Sequence, residues 1–478
     1  MPAEKAGRSQ AMSQMPPERD DADAWLPEVQ PESYGISSDL VRAIAELLEQ
    51  GDEAEVRERV AELHEADLAD LLETLDREQR SQLLKALGTD FGLEVLTYMD
   101  DSVREEIVEE LEPKQIASSL SDLDSDDAVD IIEDLDEEAQ QRVLEALPRA
   151  ERLVLEESLS FPEDSAGRIM QRELLAVPSS WTVGETIDYM RAAKDLPDDF
   201  YDIYIVDPKH QPIGFVPLSR AMRTRRPVKL TDIMTDDMRS VPIQMDQEEV
   251  AYLFRQYGLV SAPVVDAAGR LVGVVTVDDV VHIIDEEAEE DLLKLAGVQE
   301  TDLYSAVLDT TKSRFTWLLI NLFTAVAASV VIGLFESALQ QIVALAILMP
   351  IVASMGGNAG TQTLTVAVRA IAMRDLSAGN ALRFVGKELL VGVANGLLFA
   401  VVAGLLAWYW FAMPMIGVII GAAMIINLVV AALSGALVPL GLEKIGVDPA
   451  VASSVVLTTV TDVIGFFAFL GLATVFLL

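Results

Sequence analysis

The residue of this sequence whose position demands a chemical explanation is Asp462. It lies 14 residues beyond Asp448, about 21 Å along a helix. The surrounding apolar stretch, 450–477, is long enough to cross a hydrocarbon layer about 30 Å thick. An isolated carboxylate at that depth is costly, so it must face a pore, a partner or a bound ion. Ser454, Thr458 and Asp462 are spaced i, i+4, i+8, which puts three oxygen-bearing side chains on one helix face. Thr459 and Thr461 flank the row. Hydroxyls alone in such a helix are satisfied by the carbonyl one turn earlier. A hydroxyl row that ends in a carboxylate points instead to an ion pathway.

A second polar element interrupts another apolar stretch. Met349–Leu364, MPIVASMGGNAGTQTL, contains a proline, three glycines and the polar Asn358, Thr361 and Gln362. Small residues let helices approach closely, and polar groups at membrane depth are tolerated where they line a cavity. Asn358 and Gln362 are therefore expected to line the pathway. Asn427, a lone polar residue in a third apolar stretch, is expected to make a packing hydrogen bond.

These groups need membrane-crossing helices to hold them, and the composition supplies them. Five apolar stretches follow Lys312, near 315–335, 339–371, 384–410, 413–441 and 450–477. Between Ser313 and Leu478 six basic residues balance six acidic ones, so the net charge of −43 lies wholly in residues 1–312. There, 72 acidic residues face 29 basic ones. Such a field repels nucleic acid and attracts cations. No cysteine is present, which excludes disulfides and thiolate metal sites, and three histidines argue against a zinc or iron centre. The first 35 residues lack an apolar run and read as a disordered leader rather than a cleavable signal, which leaves the N-terminus in the cytoplasm. Arg374, Arg383 and Lys387 mark the connection between spans two and three as cytoplasmic. Five crossings then put the C-terminus outside, in a cytoplasmic membrane.

Before the membrane part the texture changes twice. Residues 36–163 are helical, with a gapless internal repeat: Ala66–Leu87 aligns on Asp126–Leu147 at an offset of 60. Stacked helical hairpins forming an all-α solenoid explain that period. From 164 to 284 short strands alternate with helices, and Asp207 to Asp266 and Gly214 to Gly273 are each 59 apart. The features resemble a tandem pair of α/β CBS domains, 164–230 and 231–284, a module that usually senses ligands. Residues 285–312 open with DEEAEEDLLK and read as a very acidic connecting helix leading into the pore domain, 313–478.

A leucine-rich acidic helical domain, a CBS pair, an acidic connecting helix and five spans together resemble the MgtE-type magnesium channels. The matching signatures are GGNAGTQ at Gly356–Gln362, DPA at Asp448–Ala450 and TDVIGF at Thr461–Phe466. DSAGRIM at Asp164–Met170 and TVDDV at Thr276–Val280 match in the soluble part. The resemblance implies a homodimer in the lipid membrane, with a pore between the two copies. Asp462 would be the pore carboxylate and Asp448 a second acid at the cytoplasmic mouth. Mg²⁺ dehydrates reluctantly and prefers octahedral oxygen, which carboxylates and hydroxyls can supply through its waters.

The resemblance further implies regulatory Mg²⁺ sites on Glu94, Asp126 and Asp130 of the helical domain. In the second CBS domain it implies Asp246, Glu248 and Asp279, and in the connecting helix Glu287, Glu290 and Asp291. Bound Mg²⁺ would bridge these acids and close the path, a negative feedback that shifts a two-state equilibrium. Three positions depart from the family: Gly258 and His282 stand where carboxylates are expected, and Ser454 where a member has asparagine. ATP or another adenosine nucleotide is a further expected ligand. Thr276 with Asp279 has the T-x-x-D spacing that contacts ribose, whereas the first copy has Pro217 and Arg220 there. The alternatives are a proton- or sodium-coupled divalent cation carrier and a membrane-anchored CBS sensor without transport. No nucleophile–base pair, phosphate loop or metal-hydrolase spacing suggests an enzyme.

Overall fold

The computed structural model describes residues 35–88, 91–120, 123–193, 196–197, 200–298, 307–377 and 379–478. Its contacts divide the chain after Glu157 into two units. The leader expected at 1–35 lies outside the described residues except for Gly35.

The first unit is a series of short helices, from Ser38–Gln50 to Glu137–Ala146. The 60-residue repeat is visible in its bonds. Asp76 caps Arg77–Leu87 by accepting from the Gln79 amide, and Asp136 caps Glu137–Ala146 through the equivalent Ala139 amide. The Arg80 Nε donates to the Leu72 carbonyl at 3.0 Å, and the Gln140 Nε2 donates to its counterpart, the Ile132 carbonyl, at 3.3 Å. Leu71, Leu72 and Leu83 are wholly buried, as are Ile131, Ile132 and Val143 one repeat later. The same sequence positions thus build the same core and the same clasp, as stacked repeats require. Ion pairs of Arg80 with Glu106 and of Arg104 with Asp134 neutralise charges inside this unit.

The second unit begins with two three-stranded sheets. β1 (Ala176–Pro178) pairs parallel to β2 (Asp202–Val206), which pairs antiparallel to β3 (Pro212–Pro217). β4 (Val241–Pro242), β5 (Ser261–Val265) and β6 (Leu271–Thr276) repeat that order and those directions. The turns are duplicates as well: Asp207 accepts from the amides of Lys209 and Gln211, and Asp266 from those of Ala268 and Arg270. His210 and Gly269 take the same left-handed position in them, at φ 64° and 75°. The halves are joined by backbone bonds, Leu271 N to His210 O at 2.9 Å and Gln171 with Val274 in both directions.

After β4 comes α1 (Gln247–Tyr257), and after β6 comes α2 (Val277–Ala296). α2 differs from the expected connecting helix, 285–312. It is one continuous helix that starts within the second CBS domain, because nothing between Val277 and Ala296 breaks it and Gly297 stops it at φ 76°. Five long helices follow: α3 (Val307–Gly333), α4 (Val343–Ala372), α5 (Ala381–Phe411), α6 (Pro414–Lys444) and α7 (Pro449–Leu477). Each is long and apolar enough to cross a membrane. α6 is the most enclosed, packed against α4, α5 and α7. Glycines allow that approach, since a Cβ at Gly417 would stand 2.5 Å from the Gly404 carbonyl and one at Gly435 2.7 Å from the Gly360 carbonyl.

Candidate cation pathway and its acidic control region

α7 starts at Asp448, whose side chain accepts from the Ala450 amide at 2.7 Å while Pro449 takes the first helical position. The DPA motif is therefore a helix start, and it leaves the second carboxylate oxygen free to meet a cation. That oxygen lies 3.0 Å from the Lys294 ammonium of α2. Along α7, the Thr458 hydroxyl donates to the Ser454 carbonyl at 3.0 Å, Thr459 to Val455 at 2.7 Å, and the buried Thr461 to Thr458 at 3.1 Å. The hydroxyl hydrogens of these threonines are thus spent on the backbone. Asp462 is different. It is half-buried and makes no hydrogen bond or ion pair to any described residue.

Two signature motifs meet at Asn427, which is 0% exposed in α6. Its Nδ2 donates to the Val352 carbonyl of α4 at 2.8 Å, the packing bond expected from the sequence. The amide also fills the space above Gly356 of α4 and Gly465 of α7, where a Cβ would approach it to 2.2 and 2.8 Å. Gly356 opens GGNAGTQ and Gly465 belongs to TDVIGF, so one amide keys both motifs. Beyond it on α4, Asn358 and Gln362 are exposed, the former 3.4 Å from the Ser354 hydroxyl. Glu388 of α5, which no sequence pattern singled out, is buried and accepts from the Thr363 hydroxyl at 3.2 Å.

At the mouth of α7 several acids crowd together. Asp246 caps α1 by accepting from the Glu248 amide at 3.0 Å, and Glu287, Glu290 and Asp291 lie along α2. Burial pushes the Glu287 carboxyl up to about 7, opposed by a hydrogen bond from Gln247 and reinforced by Glu290, Glu248 and Asp246. Desolvation and then the Asp448 charge raise Asp291, with Lys294 opposing. Desolvation, Asp246 and Asp291 raise Glu248. Asp164 of DSAGRIM is raised by desolvation, Asp246 and Glu290, which joins that motif to the same cluster. These carboxylates repel one another across three elements. Among the described residues, however, no three His, Asp or Glu side chains converge to hold a metal ion.

The remaining candidates fall elsewhere. Glu94 is exposed on the 3₁₀ turn Leu93–Tyr98, which packs against the helix Ser125–Glu133 that carries the buried Asp126 and the exposed Asp130. Asp279 is hydrogen-bonded by the Thr276 hydroxyl, and burial raises its carboxyl. Thr276 lies on a cavity of about 20 Å³ with Asp202, Tyr204 and Ser261. Ser261 donates to Asp202 at 2.8 Å and lies 2.7 Å from the Tyr204 hydroxyl. Gly258 ends α1 at φ 62°, a backbone position that favours glycine over a carboxylate. His282 is exposed on α2. Sequence reasoning missed Lys294 and Arg374, the cations that meet this region. Lys294 was detectable as the one cation of the acidic helix segment, four residues after Glu290.

Comparisons with known proteins match three stretches of the chain. A family model described as MgtE, divalent cation transporter, matches residues 349–472. The MgtE intracellular N domain matches 63–164 and a CBS domain 230–286. The magnesium transporter MgtE of Thermus thermophilus is 35% identical over 445 residues, 92% of this chain and 98% of the relative. That of Bacillus subtilis is 28% identical over 92% of this chain and 98% of its own length. A crystal structure of the cytosolic domain of the Mg²⁺ channel MgtE in complex with ATP is 33% identical, with a TM-score of 0.47, covering 51% of this chain and 99% of that one.

Proposed function

The chain belongs to the MgtE family of divalent cation transporters, and from that premise we propose that it imports Mg²⁺ along the Asp462 face of α7. The observation that carries the proposal is the carboxylate of Asp462, half-buried in an apolar helix with no partner among the described residues. A charge so placed is stabilised by a hydrated cation or by water in a path. Two copies in a homodimer would bring two such carboxylates to one axis. The Ser454 and Thr458 oxygens retain lone pairs for the waters of a hydrated ion, and Asn358 and Gln362 offer further polar groups on α4.

Closure by internal Mg²⁺ is the second part. The mutual repulsion of Asp246, Glu248, Glu287, Glu290, Asp291 and Asp448 is relieved by a divalent cation, which draws α2 toward the start of α7. Asp279, and in the first unit Glu94, Asp126 and Asp130, are proposed as further binding positions. A hydrated ion can be held through its waters, so direct convergence of three ligands is unnecessary. With the acidic region on the cytoplasmic side, α7 runs outward from Asp448 to Leu478.

An adenosine nucleotide is proposed at Thr276 and Asp279. The cavity there, about 20 Å³, holds about one water, so the nucleotide must widen it on entry.

The test is Mg²⁺ flux into proteoliposomes. Wild type carries flux that falls as internal Mg²⁺ rises, and Asp462→Asn and Asp462→Ala lose it at wild-type folding. Unchanged flux in both variants refutes the pathway and favours a sensor without transport. Flux that requires a proton or sodium gradient identifies a coupled carrier.

A further inference from the structure

α4 ends in a conformation its sequence should avoid. The residue after the cap, Arg374, has φ 55°, in the left-handed region where glycine is favoured. Its amide still closes the helix end, donating to the Ile371 carbonyl at 2.8 Å. A side chain in this position is kept only where its contacts compensate, and such outliers gather at functional sites. Among the described residues, Glu249 and Tyr252 of α1 in the second CBS domain hold the Arg374 side chain. Its guanidinium pairs with Glu249 and lies 4.9 Å from the ring centre of Tyr252. The neighbouring Met373 sulfur accepts from Arg255 of α1 at 2.8 Å.

We propose that Arg374 is the positioning residue that transmits the state of the second CBS domain to α4, the helix that carries GGNAGTQ. Two features of α1 support this assignment. Glu249 and Tyr252 lie one turn apart on it, so one helix face grips the guanidinium. Asp246 and Glu248, proposed above as Mg²⁺ positions, begin the same helix. A cation that pulls on the start of α1 therefore moves the residues that hold Arg374. The connection between α4 and α5 receives that displacement directly, without passing through α2.

This rests on the proposed closure by Mg²⁺, and the substitution that tests it follows from the strain. Arg374→Gly removes the guanidinium while giving the backbone the residue that its φ favours. A purely structural arginine would leave a destabilised protein. A coupling arginine leaves a protein with a thermal midpoint at or above wild type, normal flux in Mg²⁺-free internal solution, and defective closure. The internal Mg²⁺ needed for half-closure is expected to rise about 5–150-fold, the usual range of coupling between sites. Glu249→Gln, which leaves α4 intact, is expected to shift closure in the same direction.

A second readout does not depend on transport. In hydrogen exchange of the full-length protein, Mg²⁺ is expected to protect both α2 and residues 373–377 of wild type. In Arg374→Gly it protects α2 only. Half-closure at wild-type Mg²⁺ in both variants overturns the proposal, as does wild-type protection of 373–377 in Arg374→Gly. Wild-type vesicles without Mg²⁺ flux would sink the transport reading alone, and the exchange pattern would then decide this one.

Discussion

Replacing Gly356 with alanine would place a methyl carbon 2.2 Å from the Asn427 amide nitrogen and within 2.9 Å of the rest of that amide. The amide has no room to retreat, because it is 0% exposed and packs against Gly465 on its other side, where a Cβ would come within 2.8 Å. α4 and α6 are forced apart, and the bond from Asn427 to the Val352 carbonyl breaks with them. Overpacking of this kind costs about 1–3 kcal/mol, and the lost hydrogen bond adds about 1 kcal/mol. The expected destabilisation is therefore about 2–4 kcal/mol, read as a lower thermal midpoint in detergent. Mg²⁺ flux per folded molecule falls too, because Asn358 is two residues from Gly356 and Asp462 three from Gly465. Asn427→Ala costs the hydrogen bond but makes space, so Gly356→Ala on that background should be nearly neutral. The non-additivity of the cycle measures the clash. Wild-type stability in Gly356→Ala alone, or full additivity of the pair, refutes the keyed packing.

Thr458→Val removes a hydroxyl whose hydrogen is already bonded to the backbone, so flux should fall by no more than about tenfold, the equivalent of one hydrogen bond, whereas Asp462→Asn abolishes it. The raised Glu287 carboxyl, at about 7, favours the protonated folded state. Its contribution is fully present below the unfolded value near 4.5 and is lost as pH rises through 7. Thermal stability of the Mg²⁺-free protein should therefore fall between pH 5 and 8, and Glu287→Gln should flatten that decline; an unchanged slope in the variant counts against the assignment.

Much of the fold was legible because it is periodic. The 60-residue repeat predicted cores and caps that recur at Leu72 and Ile132 and at Asp76 and Asp136, and the 59-residue offset predicted two sheets with identical turns. Asp462 was legible because charge is rare in an apolar helix. What escaped was long-range and conditional on backbone geometry. Arg374 looked like an ordinary positive-inside residue, since its value depends on a φ and on a ring 122 positions earlier. Asn427 looked isolated because its partners are absences of side chain on two other helices. The acids of the control region were named from the family resemblance, but their mutual proximity needed α1, α2 and the start of α7 placed side by side. The helix end at Gly258 likewise gives a backbone reason for a missing carboxylate.

The duplicated sheets carry one difference with a numerical consequence. Where the second copy has Thr276 and Asp279, the first has Pro217 and Arg220. The Arg220 guanidinium donates to the Ile233 carbonyl at 2.9 Å and to the Thr235 hydroxyl at 3.0 Å. At this position the first half thus ties an exposed arginine to its own chain, while the second has the threonine and aspartate beside a small void. A nucleotide titration should accordingly saturate at one molecule per chain.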